Sequence, residues 1–514
     1  MPVFFPCSRS GGVAPMRAPS ERDALVVTCL VFLAPVLVFA LRLPAPAAIC
    51  VAPGVAGAGW IVSRMQASAL DAPLQGRMFL LCLGAATVLC ALGGEGHLFY
   101  SASDWLLRDA VLADAIRGPF PLFYRSGAVD YFLRAPLGMY MLPALVGRAF
   151  GIMAAHYAVL AQNALLYAAI LYFAARLTGA GRLRFLAVLL LFSGVDIVPR
   201  LAVDVWRAHN GAEFEINPLI MFWNDFFKYF GHIPSLFWAP NHALPAWFAA
   251  LLALMCWRRD IDLASLAVLA AGLLFWSPLA ILGALPLLAL CGARTVFERS
   301  IARREGFAVV VIAGLAPLIV YLTADSGAVP RQWLIGKDGF WSHYAALLAF
   351  SIPQVWLLLA RWRDVAPELR APLAAAIVFV VLAPFYKLGD DNDLAMRGAI
   401  APLFVVAIAF ASAAPALLAG GRILHRVVLL VIGLSAVTGL FELRRAIMDP
   451  AYRPGDCNIL TAYAKFAEGL FPSNYLARLS QAPSWLVRDD GAPRLQAEKR
   501  VCVPDYSLVP EQFR

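Results

Sequence analysis

KLGDDNDLAMR (residues 387–397) is followed, after a single glycine, by AIAPLFVVAIAFASAAPALL (residues 399–418). Five charges in eleven residues give way to twenty residues with none. A helix rises about 1.5 Å per residue, so the uncharged run makes a rod of roughly 30 Å, the thickness of a bilayer's hydrocarbon core. Only helices and closed barrels pair all their backbone groups in lipid. The apolar residues here run on continuously instead of alternating, which leaves the helix. The stretch reads as a membrane-crossing helix with a charged lip at its head.

Runs of the same kind lie at 24–41, 78–94, 156–175, 307–323 and 424–441, with shorter ones at 46–62, 185–199, 242–257, 263–276, 279–291, 344–360 and 372–386. Together they predict an all-α, polytopic transmembrane helix bundle of about thirteen spans. Residues 136–151 are apolar too, but Pro143, Gly147 and Arg148 interrupt them, so an interfacial helix along the membrane surface is expected there. Composition agrees: 61% of the 514 residues are hydrophobic and 15% charged, where soluble domains carry roughly 25% charge. The glycines at 54, 57 and 59 lie inside an apolar span with no strand before them, so they predict close helix packing and not a dinucleotide loop.

Segments 1–23, 63–77, 176–184, 258–262, 294–305, 361–370 and 419–426 hold 19 basic and 9 acidic residues, and the rest of the chain holds 23 and 24. By the positive-inside rule the first set is cytoplasmic. The expected organisation is a cytoplasmic N-terminal segment 1–23, a transmembrane domain 24–441 with outer loops 95–155, 200–241, 324–343 and 387–397, and a small periplasmic segment 442–514. That arrangement suits a bacterial inner membrane. The net charge of +9 is then a topology signal and excludes a nucleic-acid partner. No CxxC occurs among the nine cysteines. Cys457 and Cys502, both in the outer tail, are expected to form a disulfide.

Six of the seven histidines (His97, His156, His209, His232, His242, His343) fall on the outer side or at its edge. The acidic string that includes Asp104, Asp109 and Asp114 opens the first outer loop. Asp104 and Arg108 stand at i, i+4 as an ion pair on a helix, and Asp104 is a candidate general base at the membrane edge. The plain alternative is the solvated face of an amphipathic helix. Asp196 ends a span, where an unpaired carboxylate is costly, so it needs Arg200, Arg207 or a histidine. His242 follows Pro240-Asn241 at the start of a span, as a site imidazole or a hydrogen-bonded structural one. Arg397 closes the polar hairpin that holds Asn392 and Asp393. It is placed either to grip a phosphate as a bidentate fork or to pair with Asp393. Asp390, Asp391 and Asp393 have the chemistry for a hard cation but not the spacing of a calcium loop, so no metal or other cofactor is expected. P-loop, GxSxG and HExxH motifs are absent in usable contexts, which argues against nucleotide-driven and serine-hydrolase chemistry.

Asp104-Trp105 with Leu112 and Asp114, Pro136-Leu137-Gly138, Gly194-Val195-Asp196, Pro240-Asn241-His242, and Asn392-Asp393 with Met396-Arg397 together resemble the bacterial membrane glycosyltransferases of the GT-C type. The resemblance spans residues from about 78 to 420 and implies a GT-C-like bundle. It further implies a polyprenyl-phosphate-linked sugar as donor, a cell-envelope acceptor and a lipid environment. By the same resemblance Asp104 takes the acceptor's proton, with Asp109 and Asp196 as the other catalytic candidates. Arg397, Lys387 and Arg200 hold the lipid phosphate, with His242, Asn392 and Asp393 beside them. A transporter or flippase, and a non-catalytic part in envelope assembly, are the competing readings.

Overall fold

The computed structural model describes residues 18–179, 181–299, 301–455, 457–466, 471–489 and 491–498. The first third contains α1 (Glu21–Ala40), α2 (Ala45–Ser63), α3 (Gly76–Leu92), α4 (Trp105–Arg117), the hairpin of β1 (Phe123–Ser126) and β2 (Val129–Leu133), α5 (Met141–Phe150) and α6 (Ile152–Arg176). The middle holds α7 (Arg182–Leu190), α8 (Ile197–His209), α9 (His232–Trp238), α10 (Pro240–Trp257), α11 (Leu263–Leu273), α12 (Pro278–Phe297) and α13 (Arg303–Thr323). After β3 (Arg331–Trp333) come α14 (Phe340–Phe350), α15 (Pro353–Ala360), α16 (Pro367–Leu382), β4 (Tyr386–Leu388), α17 (Ile400–Ala419) and α18 (Arg422–Met448). The tail adds α19 (Ile459–Phe466), β5 (Leu476–Arg478) and β6 (Arg494–Leu495).

The molecule is a mostly helical, membrane-embedded bundle. Among the described residues, eight helices are long and apolar enough to cross a bilayer, and the pair α14 and α15, bent by 65°, is apolar enough for either a broken span or a re-entrant loop. Val27, Ile49, Val310 and Leu430 lie exposed on these helices, as lipid-facing surface requires. The glycine reading holds at two of three positions. A β-carbon on Gly54 would stand 3.0 Å from the Gly314 backbone and one on Gly57 2.6 Å from Val311, whereas Gly59 meets only Leu30 at 3.8 Å. Small residues thus let α2 and α13 approach closely.

Loops of each charge set are joined to one another by direct contacts. In the more basic set Arg258 donates to the Leu177 carbonyl at 2.8 Å, and Asp262 accepts from the Gln66 amide and from Arg304. In the other, β5, β2, β1 and β6 form one sheet, which ties the first loop to the tail. There β3 pairs with β4 and joins the third loop to the fourth, and Asn224 donates to the His343 carbonyl across the second and third loops. Helix α5 has ten residues, about 15 Å, too little to cross. It lies against α4, with Arg148 donating to the Ala115 carbonyl.

Two expected crossings are not single helices, the run at 344–360 being the bent pair α14 and α15. Over residues 185–199, α7 stops at Leu190, the chain runs extended, and α8 begins after Asp196. The backbone groups freed there are satisfied from elsewhere: the Val195 amide donates to Phe350 O at 2.7 Å, and Phe192 O accepts from His232 N at 2.8 Å. A β-carbon on Gly194 would meet Ser351 Cα at 2.6 Å, so this break is built against the bend between α14 and α15.

Candidate functional site

Three short devices in the sheet-bearing set of loops bring charged groups together. The first is the turn before α17. Residues Leu394–Gly398 form a π-helical turn, and a β-carbon on Gly283 of α12 would collide with the Gly398 carbonyl. Contact with α12 therefore seats Arg397 at the helix head. The second is Pro136-Leu137-Gly138. The Gly138 amide donates to Phe275 O at 2.9 Å, and any side chain at 138 would enter the Trp276 ring. That close approach holds Arg134 and Tyr140 nearby. The third is the break at Ala239 between α9 and α10, which turns Asn241 and His242 inward.

Arg397 Nη1 lies 2.8 Å from Asp393 Oδ1, and its Nη2 lies 3.9 Å from Asp104 Oδ2. Asp104, at the cap of α4, is 3.3 Å from Arg108 Nη2. Arg108 also donates to Asn241 Oδ1 at 3.3 Å and to the Trp238 carbonyl. His242 Nδ1 pairs with Ser277 Oγ at 2.6 Å, which fixes the ring. Arg397 Nε, Arg108 Nη1 and Arg134 Nε are buried N–H groups without a hydrogen-bond partner in the protein. Spare guanidinium donors in one place are what an incoming anion would use.

Of these groups Arg134, Asn241, His242, Asp393 and Arg397 border a cavity of about 230 Å³, and Asp104 stands behind Arg397. Its lining combines Arg134, Arg331, Asn241, His242, Asp393 and Arg397 with Pro278, Leu279, Leu322 and Val329. The tail covers it with Asn474 and Tyr475, held by Arg134, whose amide donates to Tyr475 O at 2.7 Å and whose guanidinium reaches Ser473 O. Burial pushes the Tyr475 phenol up against the opposing pull of Arg397 and Arg108, which keeps it a neutral hydrogen-bond donor. Burial likewise raises the Asp393 carboxyl, and Arg397 counters it.

Asp104, His242, Asp393 and Arg397 therefore meet. The other candidates do not. Asp109 leaves α4 in another direction and sits between His97 and His156. Asp196 accepts from Ser351 Oγ at 2.7 Å and Trp223 Nε1 at 2.8 Å, so its partners are a serine and a tryptophan and not the arginine or histidine expected. Arg200 is buried on Asp204, with Nε 3.0 Å from Oδ2, and has its fork occupied there. Lys387 and Asn392 line a neighbouring cavity with Lys228, Lys337, Asp390 and Asp391. In that hairpin Asp391 is 3.6 Å from Lys228, so both it and Asp393 are matched by cationic side chains. Cys457 is disulfide-bonded; Cys502, its expected partner, lies outside the described residues.

Sequence reasoning missed Arg134, Arg331 and Tyr475. Arg134 ends a strand and Tyr475 lies in the tail, and neither has a motif around it. Arg108 and Asn241 were visible, as the i+4 partner of Asp104 and as a member of Pro240-Asn241-His242. No protein-family model, no curated protein and no solved structure matches this chain, so what it does has to be argued from this cavity.

Proposed function

We propose that the chain is a membrane glycosyltransferase that moves a sugar from a polyprenyl-phosphate carrier to a cell-envelope acceptor. On this reading it sits in a bacterial inner membrane, with the N-terminal segment cytoplasmic and the cavity and tail periplasmic. The observation that carries the reading is the mixed lining of the cavity, to which Arg134, Arg331 and Arg397 contribute together with Pro278, Leu279, Leu322 and Val329. A phosphate headgroup on an apolar chain needs both kinds of residue.

Asp104 takes the proton of the acceptor hydroxyl as that oxygen attacks the anomeric carbon. The bond from the carbon to the lipid phosphate breaks, and the electron pair leaves with the phosphate. Arg397 and Arg134 stabilise the charge that develops there. One displacement of this kind inverts the anomeric centre. The test uses the full chain in proteoliposomes, polyprenyl-phosphate-linked hexoses labelled in the sugar, and a bacterial envelope extract as acceptor. Asp104→Asn keeps the shape and removes the proton acceptor, so transfer should fall by about 10²-fold. Transfer unchanged in that variant would take Asp104 out of the mechanism.

A second reading, translocation of a lipid-linked substrate, is favoured by one observation. The breaks at Asp196 and Ser351 meet inside the bundle, where Gln354 Nε2 donates to Ser193 O at 2.7 Å and to Ser435 Oγ at 2.9 Å. Broken helices with polar centres are how many transporters hold substrate. Vesicle flipping that is lost in Asp196→Asn and kept in Asp104→Asn would decide for it.

A further inference from the structure

We propose that His97, Asp109 and His156 bind one divalent transition-metal ion, at a site distinct from the cavity and independent of the reaction proposed above. The three residues come from the turn after α3, from α4 and from α6. One ligand atom of each lies within 4.8 Å of the other two. His97 Nε2 is 3.1 Å and His156 Nδ1 is 3.9 Å from the same Asp109 oxygen, and all three side chains are only 1% exposed.

The hydrogen bonding around the site asks for a cation. His97 Nδ1 lies 3.1 Å from the carbonyl of Tyr452. A carbonyl only accepts, so Nδ1 carries the hydrogen. Nε2 then meets the Asp109 carboxylate either as the second N–H of a charged ring or as a lone pair that shares a cation with the carboxylate. Both ring nitrogens of His156 and the second oxygen of Asp109 are buried without a partner. Buried polar atoms of this kind are nearly always paired. Here one ligand-capable atom from each of three residues converges within 4.8 Å.

Ligand spacing and orientation fit a metal. With bonds of about 2.0–2.1 Å to nitrogen and oxygen, atoms on one ion stand roughly 3–3.5 Å apart. The His97–Asp109 separation of 3.1 Å already has that value, and the His156 ring needs only to turn toward the shared oxygen. A backbone carbonyl on the distal nitrogen is the usual way a ligating imidazole is oriented. His97 is also held at φ +54°, between Gly94 and the turn that leads to α4, a conformation a non-glycine residue keeps only when its surroundings demand it. Two imidazoles and one carboxylate select zinc, cobalt, iron or manganese over calcium or magnesium, which prefer all-oxygen sites. The ion would tie α4 to α6 and, through Tyr452, to the tail.

The test uses the full chain, purified in detergent with a tag free of histidine, stripped by a chelator and reloaded with Co2+. About one Co2+ per chain is expected, with visible d–d bands that Zn2+ abolishes and with imidazole scattering in the X-ray absorption spectrum. A wild-type chain that retains no Co2+, or one whose spectrum shows sulfur ligands, overturns the site without recourse to any variant. His156→Gln and Asp109→Asn should each lower metal retention at least tenfold, while His343→Gln should not. Retention that is unaltered in either of the first two also overturns it.

Discussion

Asp104 and Asp109 leave α4 about 140° apart around the helix, and α4 thereby separates two kinds of polar site. Asp104 is 20% exposed and lies between two arginines, Arg108 and Arg397, the second of which lines the cavity. Asp109 is 1% exposed and faces two histidines with no guanidinium against it. The first arrangement suits a ligand that enters and leaves. The second suits something bound once and kept, because nothing around Asp109 can compensate its charge except a proton or a metal. Five residues of spacing thus divide chemistry from architecture on one short helix.

The sharpest way to break this comparison is to exchange the two carboxylates for amides and measure both properties in each variant. Asp104→Asn should cost about 10²-fold in sugar transfer and leave metal content intact. Asp109→Asn should lose the metal and lower stability by about 1–3 kcal/mol, since a buried acceptor is replaced beside unpaired imidazoles. Equal losses in both properties from either variant would mean that α4 carries one site and not two.

Next in size is Arg397. On the proposed function its removal would take a phosphate contact and leave Asp104 in place, so Arg397→Ala should raise the KM for the lipid donor by about tenfold or more with a smaller change in kcat. A fall in kcat alone would move Arg397 from binding to transition-state stabilisation. Gly283→Leu probes the same residue from a distance. Its side chain would collide with the Gly398 carbonyl and push the π-helical turn, so it should reproduce the KM effect in part. Unchanged KM in a folded Gly283→Leu chain would show that the close contact with α12 does not set the position of Arg397.

The apolar runs announced most of the helices, because a stretch of twenty uncharged residues has few other places to go. What they hid was backbone pairing. The break over residues 185–199 depends on Phe350 O accepting from Val195 N across 155 positions, and no local average of hydropathy registers such a partner. The site was legible where its members share a helix or a short motif, as with Asp104 and Arg108 or Asn241 and His242. Arg200 shows the limit of that kind of reading. Its i+4 partner Asp204 stood in plain view, yet the sequence did not say whether the guanidinium was spent on it. The meeting of His97 and His156 on Asp109 needed α6 to be laid against α3 and α4, which is tertiary information.

The last expected effect concerns the far end of α4, where Asp114 is 1% exposed and fastens the tail. Its Oδ2 accepts from Tyr124 Oη at 2.7 Å and from the Ile459 amide at 3.0 Å. Burial pushes this carboxyl up to about 7, against the pull of Tyr124, Ile459 and Arg117 and with some help from Glu498. In the unfolded chain it titrates near 3.9. Between these values the folded protein binds a proton that the unfolded chain does not, so stability falls as pH rises through the window. The contribution is present in full below about 4 and is gone above about 7, when Asp114 is ionised in both states. Asp114→Asn cannot ionise, so its Tm should change less than that of the wild type between pH 5 and 8. The difference is bounded by one proton, about 1.4 kcal/mol per pH unit within the window. Parallel Tm profiles for the two proteins would show that Asp114 is already ionised where it meets Tyr124.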